Sequence, residues 1–468
     1  MNRELNNSSK MKCSYPKILI IGQYFEKRPG SAITMTNLFK GWDKECIAVA
    51  AGEINNPDFE ICNKYYQLGS LETKKNFPFN LKKNNKHQSG PLLEREKKVN
   101  SDFTQIKESG VRNLYNYFLD FFGLHHYKDR FRCSNDFLKW VNDFSPDYIY
   151  SQLSNFQLIL FVSQLHKDLQ VPVAVHIMDD WPSTIAKRGI LKFYWKRLID
   201  KKFRKLLSNA QVLMSIGETM STEYKKRYGY NFIPFHNPIE INFWETSVHE
   251  YKHTQNPFVI LYAGRLGTGI QNCFLDIAEA IKNLIAEGLK IELHIQVINC
   301  NIILDSLAKF DFIKLNSAVH YSALPGVFAK ADLLLIPNDF DDQSISFLKF
   351  SMPTKASEYM VSGTPILVYS SIKTALTKHA LKHQWAFVVS EKNIKMLEST
   401  IREAYENKDL RIKMGTSAKK FAKKHFDSNI VRNEFRKALT PVGYQIEGTS
   451  FNEKINHINK RLSNKWLK

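Results

Sequence analysis

The sequence predicts an α/β protein built in two halves, each a mostly parallel sheet with helices on both faces. Three observations carry this. Short apolar runs alternate with amphipathic segments along the chain, the pattern of parallel sheets joined by helical crossovers. A polar, patternless stretch from Glu245 to Asn256 separates two such series. A length of 468 residues exceeds one ordinary domain.

In the first half, Lys17 to Gly22 reads as an opening strand, followed by Cys46–Ala51, Asp147–Ser151, Val171–Met178 and Ala210–Gly217, with Asn231–Pro238 closing the series. Residues 70–131 break the rhythm. Lys74 to Asn100 is rich in Lys, Asn and Gln and reads as a mobile surface insertion. The aromatic run from Val111 to Leu124 suits either a helix packed on its own domain or one that dips into a membrane interface. In the second half, Phe258–Gly264 is a buried strand, Gln271–Glu287 a helix and Leu289–Ile298 a strand. A short helix over Ala323–Lys330 precedes a strand over Ala331–Pro337. Pro353 and Thr354 suit a first helical turn, Gly363 its termination, and Pro365 blocks continuation before the strand Ile366–Val368. A helix near Ile372–Leu381, a strand over Ala386–Val389 and basic helices from Asn393 to about Leu439 complete the series. The domains read as 1–245 and 257–435, with a basic tail, 436–468, expected to return toward the first.

Hydrophobic content of 43% supplies two cores, and 66 basic against 46 acidic side chains give a net charge of +20. That balance suits an anionic partner such as a phosphate-bearing ligand or a membrane face. No helix-turn-helix, zinc or ribonucleoprotein motif accompanies the charge, so nucleic acid is not expected. The six cysteines form no Cys-x-x-Cys pair and have no His at metal spacing, which points away from a disulfide framework or zinc and toward a reducing cytoplasm. The apolar run Ile18–Ile21 is too short for a signal-peptide core, and no stretch approaches the ~20 apolar residues of a membrane span.

Lys355 and Glu358 stand three residues apart on the helix that opens at Pro353, so both project from one face near its N-terminus. A cation at a helix N-terminus suits a phosphate. A carboxylate one turn on accepts hydrogen bonds from a pair of sugar hydroxyls. An exposed Lys–Glu pair is the plainer alternative. Arg265, directly after a strand, can fork onto two phosphate oxygens. Gly264, Gly267 and Gly269 can present backbone N–H groups to the same phosphates, or simply make a tight turn. In the first half, Gly30 and Ser31 follow a strand that ends at Gly22 and precede a helix, where a ligand could be received from the opposite side. His176 and Asp179 lie at the C-terminal end of a strand, where open α/β sheets place ligands, although a His there can equally be a core residue. The Asp339-Phe-Asp341 sequence superficially suits a divalent metal, but its position reads as a loop beside the cleft.

The second half resembles the donor domain of the retaining GT-B glycosyltransferases, the large group 1 family. The pieces are Phe258–Leu266, Val319–Ala331, Leu333–Pro337 and, most specifically, Pro353-Thr-Lys-Ala-Ser-Glu-Tyr-Met-Val-Ser-Gly-Thr-Pro365. The first half is similar through Ser215-Ile-Gly-Glu-Thr-Met and Asn237-Pro-Ile-Glu240. The resemblance implies two Rossmann-like domains facing across a cleft and transfer of a sugar, with retention, from a nucleoside-diphosphate sugar to a glycan or lipid-linked acceptor. It implies that Glu358 binds the ribose, Arg265 the diphosphate, and Lys355 stands near the phosphates. Tyr359, next in the motif, is taken with Gly30, Ser31, Gly264 and Gly267 as donor-binding. His176 and Asp179 are taken as facing the donor sugar or the acceptor. No cofactor or metal is expected, and the expected location is the cytoplasm, with the inner face of a membrane as a place of contact. Two positions depart from the family pattern: Phe350 replaces the first Glu of its Glu-x7-Glu signature, and no Lys follows Arg265 before Gln271. A non-catalytic nucleotide-sugar-binding or scaffold protein, or an epimerase on the same fold, are the alternatives.

Overall fold

The computed structural model describes residues 15–26, 33–81, 87–94, 117–119, 121–185, 189–246, 256–267, 269–297 and 302–440. The first lobe contributes ten strands: β1 (Ile18–Ile21), β2 (Ile47–Ala51), β3 (Lys64–Gln67), β4 (Thr73–Lys75), β5 (Gly90–Leu92), β6 (Asp129–Phe131), β7 (Tyr148–Ser151), β8 (Val173–Ile177), β9 (Ala210–Ser215) and β10 (Ile233–Pro234). Eight of them form one sheet in the order β10-β9-β8-β7-β1-β2-β3-β5, parallel except for the β3–β5 edge. The second lobe contributes β11 (Phe258–Gly264), β12 (Ile291–Val297), β13 (Ile313–Ser317), β14 (Leu333–Pro337), β15 (Ile366–Tyr369) and β16 (Phe387–Val389), in the order β13-β12-β11-β14-β15-β16 and parallel throughout.

Strand side chains alternate between two layers of core, as a pleated sheet covered on both faces requires. In β1, Leu19 and Ile21 join one cluster while Ile18 and Ile20 join the other. In β11, Ile260 and Tyr262 face one layer while Val259 and Leu261 face the opposite one. Strand order reverses direction at β1/β7 in the first lobe and at β11/β14 in the second. Crevices at such switch points, beyond the carboxyl ends of the strands, are where open α/β sheets bind ligands.

The strands differ from expectation mainly at edges. β13 was not foreseen because four of its five residues are exposed, leaving no apolar run to detect. The described parts of 70–131 carry structure: β4 pairs with β6, β5 extends the large sheet, and Leu119 is buried. Within the Lys- and Asn-rich stretch 74–100, residues 82–86 and 95–100 lie outside the described residues.

The lobes exchange elements. Trp244, in the helix Ile241–Thr246, packs in the second lobe's core. In return the helix Ser428–Leu439 lays Val431, Phe435 and Leu439 into the first lobe's core. The chain therefore crosses back at 427/428, earlier than the expected boundary at 436, because this helix carries an apolar face that only the first lobe covers. Glu240 holds the crossing: it accepts from Arg432 (2.6 Å) and Ser428 (2.9 Å) and pairs with Lys40 (3.1 Å). Burial would raise its pKa, but these partners outweigh burial and hold it at about 2. Cys62, Cys133 and Cys273 are free thiols. Cys46 is disulfide-bonded, against the expectation of thiols throughout, and its partner lies outside the described residues.

Candidate functional site

The site forms at the β11/β14 switch point. The helix Thr354–Ser362 enters through Pro353 and ends at Gly363, whose φ of 78° is a left-handed conformation that glycine adopts without strain. Its C-terminal end is clamped by the helix Lys408–His425. A Cβ on Gly415 of that helix would lie 2.0 Å from the Gly363 carbonyl oxygen, so the two backbones approach as only glycine permits. Tyr359 anchors the helix to β11: its hydroxyl accepts from the Ala263 N–H (2.8 Å) and lies 3.3 Å from the Ala263 carbonyl, to which it donates. Tyr359 is fully buried. Where the sequence reading grouped it with the donor-binding residues, its side chain is committed to holding the helix against the strand.

Anchored this way, the helix delivers Lys355 to the carboxyl end of β11. The Lys355 ammonium stands 3.9 Å from the centre of the Tyr262 ring and beside Gly264, where a Cβ would come within 2.5 Å of it. Gly264 has φ +150°, a backbone conformation that glycine adopts without strain. The Tyr262 hydroxyl donates to the Arg265 carbonyl (2.5 Å), fixing the turn that carries Arg265. The Arg265 side chain is exposed, and its guanidinium makes no hydrogen bond or ion pair among the described residues. Glu358 is 8% exposed and accepts from the Tyr321 hydroxyl. Lys355 and Glu358 also act on each other electrostatically, as does Arg265 on Lys355.

Burial sets the charge states. Desolvation pushes the Lys355 pKa down to about 7; Glu358 opposes this and Arg265 adds to it. Desolvation pushes the Glu358 pKa up to about 7, against the pull of Tyr321 and Lys355. A buried cation and a buried carboxylate, each shifted toward neutrality beside an exposed Arg at a switch point, make this the candidate site.

The neighbouring loop is backbone-rich. Gly267 has open space where a side chain would be. Asp339 accepts from the N–H groups of Cys273 (2.8 Å) and Gln271 (3.2 Å), capping the helix Cys273–Ala286. Asp341 caps the next helix, Asp342–Leu348, by accepting from the Ser344 N–H (2.9 Å). The two carboxylates thus serve different helix N-termini.

The other sequence candidates divide. Gly30 and Ser31 lie outside the described residues. Asp179 does reach the second lobe, accepting from the Ser351 hydroxyl (2.9 Å) just ahead of the Lys355 helix. His176 is not open to solvent. It is fully buried, bonded through Nδ1 to the Tyr150 hydroxyl (2.7 Å), and burial drives its pKa to about 3, partly offset by the Ser215 carbonyl. It lies on β8, beside β7, and its burial leaves it no open surface here for the contact with donor sugar or acceptor that the sequence suggested.

Phe350, in place of the first Glu, is a lobe-to-lobe contact. It is 6% exposed, joins the first lobe's core, and lies under the Arg227 guanidinium (5.0 Å), which itself grips Asp180 through two bonds (2.8 and 2.9 Å). A Phe350→Ala variant is expected to lose about 3 kcal/mol of stability, measurable as a lowered thermal midpoint; an unchanged midpoint would show that the contact is incidental. Sequence reasoning missed Tyr321, Tyr262 and Ser351. None carries a spacing signal, since each is brought to the site from a different loop or strand.

No protein-family model matches the chain, and no curated protein sequence matches it. Solved structures do. HepE from Anabaena, in complex with UDP and glucose, has a TM-score of 0.58 at 12% identity, covering 92% of this chain and 100% of that one. Sucrose-phosphate synthase from Thermosynechococcus elongatus has a TM-score of 0.57 at 11% identity, covering 90% and 97%. The E. coli trehalose-6-phosphate protein bound with UDP-2-fluoro glucose has a TM-score of 0.56 at 13% identity, covering 91% and 99%. At such identities the likeness speaks for the architecture: this chain has the GT-B fold of nucleotide-sugar glycosyltransferases, two Rossmann-like lobes in contact, with its paired Lys355 and Glu358 on the second.

Proposed function

We propose that the protein transfers a glycosyl group from a nucleoside-diphosphate sugar to an acceptor hydroxyl, with retention of configuration. The observation that carries this is the meeting of Arg265, Lys355 and Glu358 at the carboxyl end of β11, on a fold whose solved examples include complexes with UDP-glucose. In this reading Glu358 accepts from the ribose hydroxyls, and the N-terminus of its helix faces the diphosphate. Arg265 and Lys355 hold the diphosphate as the glycosidic bond breaks and negative charge collects on the leaving phosphate, which is the step a preorganised cationic site accelerates most. Asp179, presented by the opposite lobe, is placed to orient the sugar or the acceptor. The acceptor is a glycan or lipid-linked glycan of a surface polysaccharide.

The charge of the leaving diphosphate is met by side chains and a helix N-terminus, and the nearby Asp339 and Asp341 are engaged as caps. The reaction is accordingly proposed to need no divalent metal: transfer rates should survive a chelator, and their loss on chelation would contradict that part of the reading. The whole reading is tested by thermal shift against a panel of nucleotide sugars. A cognate donor at about 100 times its Kd should stabilise the fold by about 2.7 kcal/mol, and no shift with any member would reject it. Product analysis with and without acceptor separates a transferase from an epimerase on the same fold.

A further inference from the structure

A cluster of exposed apolar side chains lies on the first lobe. Phe193 and Ile190, at the start of the helix Lys192–Asn209, are 76% and 64% exposed, and Tyr194 is 58% exposed. Tyr117 and Phe118, from the aromatic run that ends at Leu124, are 68% and 51% exposed, with Phe121 stacked on Tyr117 at 6.4 Å. These two segments form one surface. The Ile190 N–H donates to the Phe121 carbonyl (2.8 Å), and the Trp195 indole donates to the Phe122 carbonyl (3.1 Å). Gly123 lies so close to Trp195 that a Cβ there would sit 2.4 Å from the ring. The aromatic residues are therefore held outward by a built contact. Soluble surfaces seldom display this many large apolar side chains together without a partner.

The same helix is strongly basic. Between 192 and 209 there are seven Lys and Arg residues against Asp200 alone. Lys196, Arg197, Lys201 and Lys202 are all exposed. Cations beside outward aromatic and aliphatic side chains match the two layers of an anionic bilayer surface, phosphate headgroups above and acyl chains below. A second copy of the chain fits less well, because two surfaces of this charge repel. Single-stranded nucleic acid would be met by a basic groove with stacking rings, and aliphatic Ile190 and Leu191 add nothing to stacking.

We infer that the Ile190–Lys205 face and the side chains of Tyr117, Phe118 and Phe121 together dock the first lobe on an anionic membrane. Asp179, which accepts from Ser351 of the second lobe, belongs to the same lobe as this face. The docking itself does not depend on the transferase reading.

The test is co-sedimentation of the full chain with phosphatidylcholine vesicles, with and without phosphatidylglycerol, at low and moderate salt. The wild-type protein is expected to pellet with the anionic vesicles only, and less so as salt rises. Lys201→Glu/Lys202→Glu should weaken binding on the order of twentyfold or more, and Phe193→Ser/Tyr194→Ser about tenfold, with nucleotide-sugar affinity and thermal midpoint unchanged in both. No binding by the wild type, or equal binding by the variants, would overturn the proposal. So would binding of an oligonucleotide, or a dimer lost in Phe193→Ser/Tyr194→Ser, in the absence of vesicle binding.

Discussion

Affinity for a nucleotide sugar is expected to peak near pH 7 and to fall up to about tenfold per unit of pH on either side. The two limbs have separate owners. Lys355 titrates near 7 because burial disfavours its cation, so above that pH the diphosphate meets an amine without charge. Glu358 titrates near 7 because burial disfavours its anion, so below that pH one of its oxygens carries a proton and accepts poorly from the ribose. The donor's diphosphate does not itself titrate in this range, so the curve reports the protein. Lys355→Met should bind more weakly at pH 7 and lose the alkaline fall. Glu358→Gln should lose the acid fall. Titration of each variant from pH 5.5 to 8.5 decides the matter: a flat wild-type curve, or limbs that survive both substitutions, would show that these groups do not meet the ligand. Tyr321, which donates to Glu358, is the residue to examine next, since its removal should raise the acid-limb pKa further.

The second large effect is predicted far from any ligand. Gly415→Ala should destabilise the protein by about 1–3 kcal/mol, because the new methyl would meet the Gly363 carbonyl oxygen at 2.0 Å and the helix pair must move apart. The sign is informative. Elsewhere in a helix interior the same change gains up to ~1 kcal/mol through propensity. Gly363 ends the helix that presents Lys355 and Glu358, so the displacement should also weaken donor binding. Thermal midpoint and donor affinity measured together test this. A midpoint that rises would mean the two helices have room that the structure does not show.

Much of this arrangement was legible in the sequence where punctuation is local. Pro353, Gly363 and Pro365 define a helix and the strand after it, and both stand as read. Spacing of three placed Lys355 and Glu358 on one face, and they act on each other in the fold. What spacing could not supply was which neighbours point elsewhere. Tyr359 follows Glu358 by a single position, about 100° around the helix, and so faces β11 instead of the site. His176 sits in a strand whose every residue is buried, so no alternation marked it as core or cleft. Phe350 was visible as a missing carboxylate, but its contact with Arg227 depends on how two lobes meet, which no local pattern encodes. The return of the chain at Ser428 was hidden for the same reason.

We propose that Arg265, Lys355 and Glu358 together grip one nucleoside-diphosphate sugar. Calorimetric titration with the donor chosen by the thermal-shift panel measures it directly, on the wild type and on Arg265→Ala, Lys355→Ala and Glu358→Ala. One site per chain is expected, with affinity reduced at least tenfold by each substitution while the thermal midpoint of the unliganded protein stays within a few degrees. Wild-type affinity in all three variants would contradict it.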